Sequence, residues 1–338
     1  MSPFPLFRLP FVPLCEVFHH FSLAEIVRLS LGSDRSRKNT RFVLGPTKSF
    51  KTSIAIKPFS SVSIKRETER FSVYVSEFPE ENLDTVRIEG SVVPCKAEGH
   101  QNFITTYWKV GNDGIKEVTE HFCKLFNSKI HGLTVETESK SDDPKWVVDW
   151  IMSKQESLEI CFFDGKHMKI SLIRYFLDRC KVREGLGFCL KTCKKFSHDW
   201  PLDMKILFVD HGHWLKIHNL LALNCEFTFI GNSKYTCKNL NMFLKNWLNG
   251  GGPKIKYLRI QVKRFNLAAI TKGIDGQPFP PQTARKWTGF KNTIHTFHGG
   301  FDIKRSDGIV GTVKRLVQTV NNVEEVGFIF LVGPLGEA

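Results

Sequence analysis

Along the first forty residues, apolar positions recur at helical spacing. Leu14, Val17, Phe18 and Phe21 fall at i, i+3, i+4 and i+7, which is one face of a helix. Pro10 and Pro13 stand before and within its first turn, where a proline ring is tolerated. Ser22-Leu23-Ala24-Glu25 then has the form of a capping box, in which the serine hydroxyl accepts the Glu25 amide and the glutamate reaches back. Leu23, Ile26, Val27, Ser30 and Leu31 line one face of this second helix, and Gly32 ends it. A pair of helices within about 40 residues cannot bury both apolar faces by itself. It needs a partner or the rest of the chain, and that is the physical opening for a binding function.

The period then changes to two. Ser53-Ile54-Ala55-Ile56, Ser61-Val62-Ser63-Ile64, Phe71-Ser72-Val73-Tyr74-Val75 and Thr85-Val86-Arg87-Ile88 alternate like half-buried strands. A small antiparallel sheet or set of hairpins is expected over residues 46–100, joining a helical module at 1–45 to a main domain at 101–338. From about residue 115, amphipathic helices are followed by short apolar strands, and the pair recurs. Val118–Phe126 leads to Leu133-Thr134-Val135, Trp146–Met152 to Leu158–Phe163, and Leu172–Cys180 to Leu186–Leu190. Trp214–Leu223 leads to Phe227–Ile230, and Leu240–Leu248 to Leu258–Val262, with an extra strand at Ile206–Val209. Such alternation favours parallel pairing. The spacing of roughly 25–31 residues suits an irregular leucine-rich-repeat-like arc, with a doubly wound sheet as the alternative. The chain then returns to β structure, with a hairpin signal at Asp307-Gly308. The fold class expected is mixed α/β: a small helical module, then an irregular repeat-like domain with β-rich flanks.

Composition adds a large core and a positive surface. The 338 residues include 29 Phe, with 41% hydrophobic and 24% charged residues, which is ordinary for a globular protein. The net charge of +14 raises nucleic-acid binding, but the basic residues are scattered; the nearest clusters are Lys191–Lys195 and Lys254–Lys263. A cationic surface also suits an acidic protein partner. Nine cysteines without a CxxC pair, and no secretory pattern in a start broken by Pro3, Pro5, Arg8, Pro10 and Pro13, read as a reduced intracellular chain, cytoplasmic or nuclear. No apolar run approaches the length of a membrane span.

Chemistry-bearing patterns are sparse. Asp210-His211-Gly212-His213 with His218 is the one metal-like cluster, but Gly212 and Trp214 fit a turn. Cys189, Cys193 and His198 have no standard ligand spacing. Gly250-Gly251-Gly252-Pro253-Lys254 follows a helix instead of opening one, so it reads as a helix stop and not as a phosphate loop. No catalytic residue, metal or cofactor is assigned. In the strand Lys254–Lys263, Leu258, Ile260 and Val262 point one way, while Arg259, Gln261 and Lys263 form a basic ribbon on the other face and are the candidate target contacts.

Two resemblances now become specific. Leu9, Pro10, Leu14, Val17, Phe21, Ile26, Leu29, Ser30 and Leu31 fall without a gap on the pattern of an F-box, so Leu9 to Arg37 resembles one. The chain departs from it at Val12, Pro13, Gly32 and Ser36, which leaves a third helix with little support. Trp108-Lys109-Val110-Gly111, Val147–Ile151, Trp214 before His218-Asn219-Leu220-Leu221, and Lys238–Trp247 resemble the F-box-associated domain of the large nematode F-box family, in its type 2 form. The first resemblance implies docking to the Skp-type adaptor of a cullin–RING ubiquitin ligase through Leu9, Pro10, Leu14, Val17, Phe21, Ile26 and Leu29. The second implies a non-catalytic receptor that holds an unidentified target protein. The alternatives are an interaction module working without the ligase and, from another class, a basic nucleic-acid binder.

Overall fold

The computed structural model describes residues 5–337 apart from 46–48, 98–100, 138–143, 166–167, 193–195, 199–202, 290–292, 321–322 and 334–335. Its chain forms two compact units. One reaches from the N-terminus to Cys161 and the other begins at Phe162, the boundary falling inside a strand.

In the first unit three helices come first: α1 (Phe11–His20), α2 (Leu23–Gly32) and α3 (Asp34–Leu44). The capping box of α2 is present: the Glu25 amide donates to Ser22 Oγ at 3.3 Å, and the Ser22 amide donates to Glu25 Oε2 at 2.8 Å. The third helix exists in spite of the departures at Gly32 and Ser36. Ser33 caps it, accepting the Ser36 amide at 3.0 Å, and Asp34 sits in its first turn, where a negative charge suits the helix dipole. Ser36 is buried and donates its hydroxyl to the Leu29 carbonyl at 2.5 Å, which ties α3 to α2.

Strands β1 (Phe50–Ile56), β2 (Ser61–Arg66), β3 (Glu69–Ser76), β4 (Asp84–Ile88), β5 (Ser91–Lys96) and β6 (Phe103–Tyr107) follow, then α4 (Gly111–Leu125), β7 (Ile130–Thr137), α5 (Lys145–Lys154) and β8 (Leu158–Gly165). The expected connecting hairpins are instead part of a mixed sheet in the order β7-β1-β2-β3-β6-β5-β4, with β1–β7 and β3–β6 parallel. The compact unit that α1–α3 begin continues past residue 100 through β6, α4, β7 and α5 to the first half of β8. Ile115, Val118, Phe122 and Leu125 of α4 face this sheet and are buried with Ile54, Val62, Phe71 and Val73, and α2 packs on β3 and β4. Leu23, Ile26, Val27 and Leu31 therefore find their cover inside the chain and not in a partner.

A polar staple secures this packing. Ser30 donates to the Val27 carbonyl at 2.6 Å, so its oxygen must accept from Nε2 of the buried His121 on α4, 3.1 Å away. Glu89 lies 3.8 Å from the other ring nitrogen. Burial would raise the Glu89 carboxyl, but Lys124 and Arg37 outweigh it and hold it below the ordinary value. With Glu89 already neutralised by those two cations, burial wins at His121 and pushes its imidazole down to about 4. Unfolded, the same group titrates near 6.5. Between these values the unfolded chain takes up a proton that the folded chain refuses. Stability should therefore be level in this respect above about pH 6.5 and fall by about 3 kcal/mol as pH drops to about 4. His121→Gln should flatten that window; urea midpoints followed against pH would check it, and an unchanged slope would count against the buried neutral imidazole.

In the second unit, α6 (Ile170–Arg179) leads to β9 (Val182–Phe188), then β10 (Ile206–Val209), α7 (Ile217–Leu221), β11 (Phe227–Ile230), α8 (Cys237–Leu248), β12 (Tyr257–Gln261) and α9 (Leu267–Ile270). A β meander closes the chain: β13 (Gly276–Thr288), β14 (Ile294–Lys304), β15 (Val310–Val320), β16 (Val323–Val332) and β17 (Gly336–Glu337). Strands β9 to β12 pair in parallel and in sequence order, and the antiparallel run β12-β16-β15-β14-β13-β17 extends them. Gly250 and Gly252, at φ +92° and +57°, turn the chain out of α8 toward β12, the stop read from the sequence. One row of paired residues, Leu186, Leu207, Thr228, Leu258, Phe330 and Val313, is buried throughout and forms the core face.

Candidate functional site

Among the described residues, each unit presents an apolar surface that its own chain leaves uncovered. In the first unit it lies on α1 and α3. Phe11 is 52% exposed, Val12 69% and Phe42 71%, and the Phe11 and Phe42 rings meet edge-on at 5.3 Å. Pro10 and Pro13 are exposed beside them. Large apolar side chains scattered singly are ordinary, but an exposed aromatic pair in contact, with a neighbouring valine, is the pattern of an interaction surface.

The F-box-like residues divide around this patch. Pro10 is exposed, and Leu9, Val17, Phe21 and Leu29 are half-buried. Leu14 is buried at 7% and Ile26 is fully enclosed at 0%. On the inner face of α2, Ile26 packs into the core of the unit. Phe11, Val12 and Phe42 were missed because helical periodicity finds the buried face, and their exposure depends on how α3 packs.

In the second unit a groove of about 570 Å³ lies on the sheet face opposite the core. Its floor comes from β10, β11, β12, β16 and β15; Trp287 of β13 and Phe297 of β14 overhang it. Phe208 and Phe229 stack at 4.6 Å, and Trp287 stands 5.6 Å from Tyr257 and 6.4 Å from Phe227. The Trp287 indole donates to the Val332 carbonyl at 3.3 Å, which fixes the overhang. A register shift between Phe279 and Ala284, in the proline-bearing part of β13, bends the β13–β14 pair. Ile206-Leu207-Phe208-Val209 and Phe227-Thr228-Phe229-Ile230 do not alternate cleanly with polar residues. That is the mark of strands covered on both faces, and it was the available signal for the groove.

The basic ribbon splits three ways. Arg259 stands on the groove side of the sheet between Phe229 and Ile329, its guanidinium 5.0 Å from the centre of the Phe229 ring. Gln261 is engaged internally, its side-chain oxygen accepting the Asn232 amide at 2.7 Å. Lys263 is exposed and lines a separate hollow with Lys234 and Arg264. A larger hollow of about 870 Å³ in the first unit holds charges already matched, Lys57 with Glu136 at 2.9 Å and Glu80 with Lys96 at 2.6 Å.

Among the described residues no three His, Cys, Asp or Glu side chains converge as metal ligands. In the histidine cluster His213 pairs with Thr192 at 3.2 Å and His211 with Asn232 at 3.3 Å. Cys193 lies outside the described residues; the half-buried Cys189 has its thiol pushed up to about 12 by desolvation and by Asp164 and Asp210, far from nucleophilic. No helix among the described residues is long and apolar enough to cross a membrane.

Comparison with known proteins adds a family. Residues 195–260 match the family described as F-box associated. The matched segment supplies β10, β11 and β12, three of the five strands flooring the groove. The chain is 25% identical to Skn-1 dependent zygotic transcript 15 protein of Caenorhabditis elegans, over 62% of this chain and 63% of that protein, so it spans less than two thirds of that relative. It is 22% identical to the same organism's protein F59B2.8 over 92% of this chain and 74% of the relative. It is also 22% identical to E3 ubiquitin-protein ligase hecw-1 of Caenorhabditis elegans, over 81% of this chain but only 24% of that protein. No solved structure matches. Over residues 195–260, in the parallel part of the second unit, the chain is thus similar to the F-box-associated family, and its similar relatives are nematode proteins.

Proposed function

We propose that the chain is a substrate receptor of a cullin–RING ubiquitin ligase, docking the Skp-type adaptor through α1–α3 and a target protein through the second unit. The observation that carries the reading is the exposed Phe11–Val12–Phe42 patch, which sits on helices with the F-box pattern in a chain that also has an F-box-associated segment. Such a receptor contributes proximity: it raises the effective concentration of target lysines and needs no acid, base or nucleophile of its own. The irregular leucine-rich-repeat-like reading of β9–β12 belongs to the same proposal, since four consecutive parallel strands with helices between some of them offer a broad surface of the kind repeat proteins use.

Co-purification with the Skp-type adaptor tests the first half. Phe11→Asp/Phe42→Asp should retain the fold, because both rings are more than half exposed. It should nevertheless weaken adaptor binding by roughly a hundredfold or more, as expected when two aromatic anchors worth about 2 kcal/mol each are lost. Adaptor binding by neither the native chain nor the variant would defeat the ligase reading and leave an interaction module. Unchanged binding by the variant would move the adaptor contact off this patch.

A further inference from the structure

The groove of the second unit is apolar almost throughout, yet one cation, Lys314, lines it and a second, Arg259, stands on the same face of the sheet beside its lining residues Phe229 and Ile329. Lys314, Ile329, Arg259, Phe229 and Phe208 form one row across β15, β16, β12, β11 and β10, all on the face away from the core. Lys314 and Arg259 are thus two strands apart, about 10 Å at ~4.8 Å per strand. Neither is offset by a carboxylate: no Asp or Glu lines the groove, and among the described residues neither cation forms an ion pair. Lys314 instead rests its ammonium 5.6 Å from the Phe297 ring centre, and Arg259 rests on Phe229. Burial holds the Lys314 ammonium below the ordinary lysine value, a cost that no carboxylate among the described residues offsets. The hollow in the first unit differs in this respect, since its charges are already matched within the chain.

We infer that the groove binds a short extended acidic peptide segment of the target protein, with a large apolar side chain seated among Phe208, Phe229 and Trp287 and carboxylates on Arg259 and Lys314. The inference rests on the receptor reading above and names the class of target it takes. Size supports a peptide. The floor crosses five strands, hence four spacings of ~4.8 Å or about 19 Å, which is the length of about six extended residues at ~3.3 Å each. In an extended chain alternate side chains face the same way, so anchor and acids should stand two residues apart. Charge supports an acidic sequence, because the net charge of +14 attracts it and the two groove cations await a counter-charge.

The test uses the full chain and fluorescent hexapeptides in which leucine or phenylalanine is followed, at the second and fourth positions after it, by glutamate, glutamine or lysine. The glutamate series should bind at least tenfold tighter than the glutamine series at low salt, and the advantage should shrink as salt rises. Lys314→Glu/Arg259→Glu should reverse the preference toward the lysine series. Lys314→Gln, a milder change, should reduce the advantage without altering the near-ultraviolet circular dichroism. Equal binding of glutamate and glutamine peptides, or no binding by any series, would overturn the inference. So would a free aromatic carboxylate that binds as tightly as the peptide, or a second copy of the chain that occupies the groove in solution. Adaptor co-purification, run on the same variants, should be unaffected by them. A native chain that binds the adaptor but does not discriminate the peptides therefore refutes this inference alone, while a native chain that discriminates the peptides but fails to bind the adaptor refutes the ligase reading alone.

Discussion

Ile26→Asp is expected to unfold the N-terminal helices instead of only blocking a docking face. Ile26 has no exposure, and α2 packs on α3, β3 and β4. Removing the side chain alone costs about 2–5 kcal/mol, as for other buried isoleucines. A carboxylate in its place must either stay charged without a partner or be protonated, which adds a further cost on the order of several kcal/mol. Against a total stability of about 5–15 kcal/mol, that loss removes most or all of the folded population. Urea denaturation followed by far-ultraviolet circular dichroism would show a collapsed midpoint. The contrast with Phe11→Asp/Phe42→Asp is what makes the pair informative. Both variants lose adaptor binding, but only the first should lose structure. A native midpoint for Ile26→Asp would mean that α2 turns this face outward after all.

A comparable loss is expected in the second unit from Trp247→Ala. Trp247, on α8, is 1% exposed, and its ring meets Phe330 at 4.9 Å and 82°. The Arg305 guanidinium lies 5.2 Å above the ring, itself held by Asp307. Gly311 lies against the same cluster: a Cβ there would fall 2.5 Å from Phe330 and 3.1 Å from the indole, so the packing depends on the glycine. Truncation leaves a cavity that this layer cannot easily collapse into, and about 3–5 kcal/mol should be lost. Trp247→Phe should recover part of it. Chemical denaturation read by intrinsic fluorescence would check the order Trp, Phe, Ala, and equal midpoints for all three would contradict the packing described.

The helices and strands themselves were largely legible, because each is written in a local period. The capping box at Ser22–Glu25, the strands at 53–56 and 258–262 and the hairpin at Asp307-Gly308 all rest on neighbours within a few residues. What was not legible depended on distant partners. Residues 46–100 read as hairpins because alternation carries no information about which strand lies beside which. The parallel neighbours of β1 and β3 come from β7 and β6. The third helix had little support in the family pattern at Gly32 and Ser36, while its local signal, the cap at Ser33 with Asp34 in the first turn, lies outside that pattern. Of the basic ribbon, the alternation was right and the grouping was not: Arg259 faces the groove, Gln261 holds Asn232, and Lys263 lies elsewhere. Lys314 could not be singled out at all, since its significance comes from the absence of an acid among residues gathered from five strands and an overhanging hairpin.

The sheet order of the first unit also sets a timetable for synthesis. Strand β1 pairs on one side with β2, which follows it at once, but on the other with β7, Thr52 lying opposite Ile130. As the chain leaves the ribosome at ~5–20 residues per second, that edge waits about 4–16 s for its neighbour. During the wait Ile54 and Phe50 have no covering strand or helix, since α4 is also still to come. The nascent chain thus offers an unpaired apolar edge over the interval in which holding chaperones act. Slow codons placed between residues 57 and 129 should lengthen that exposure and lower the yield of folded protein, whereas the same codons placed after residue 165 should not.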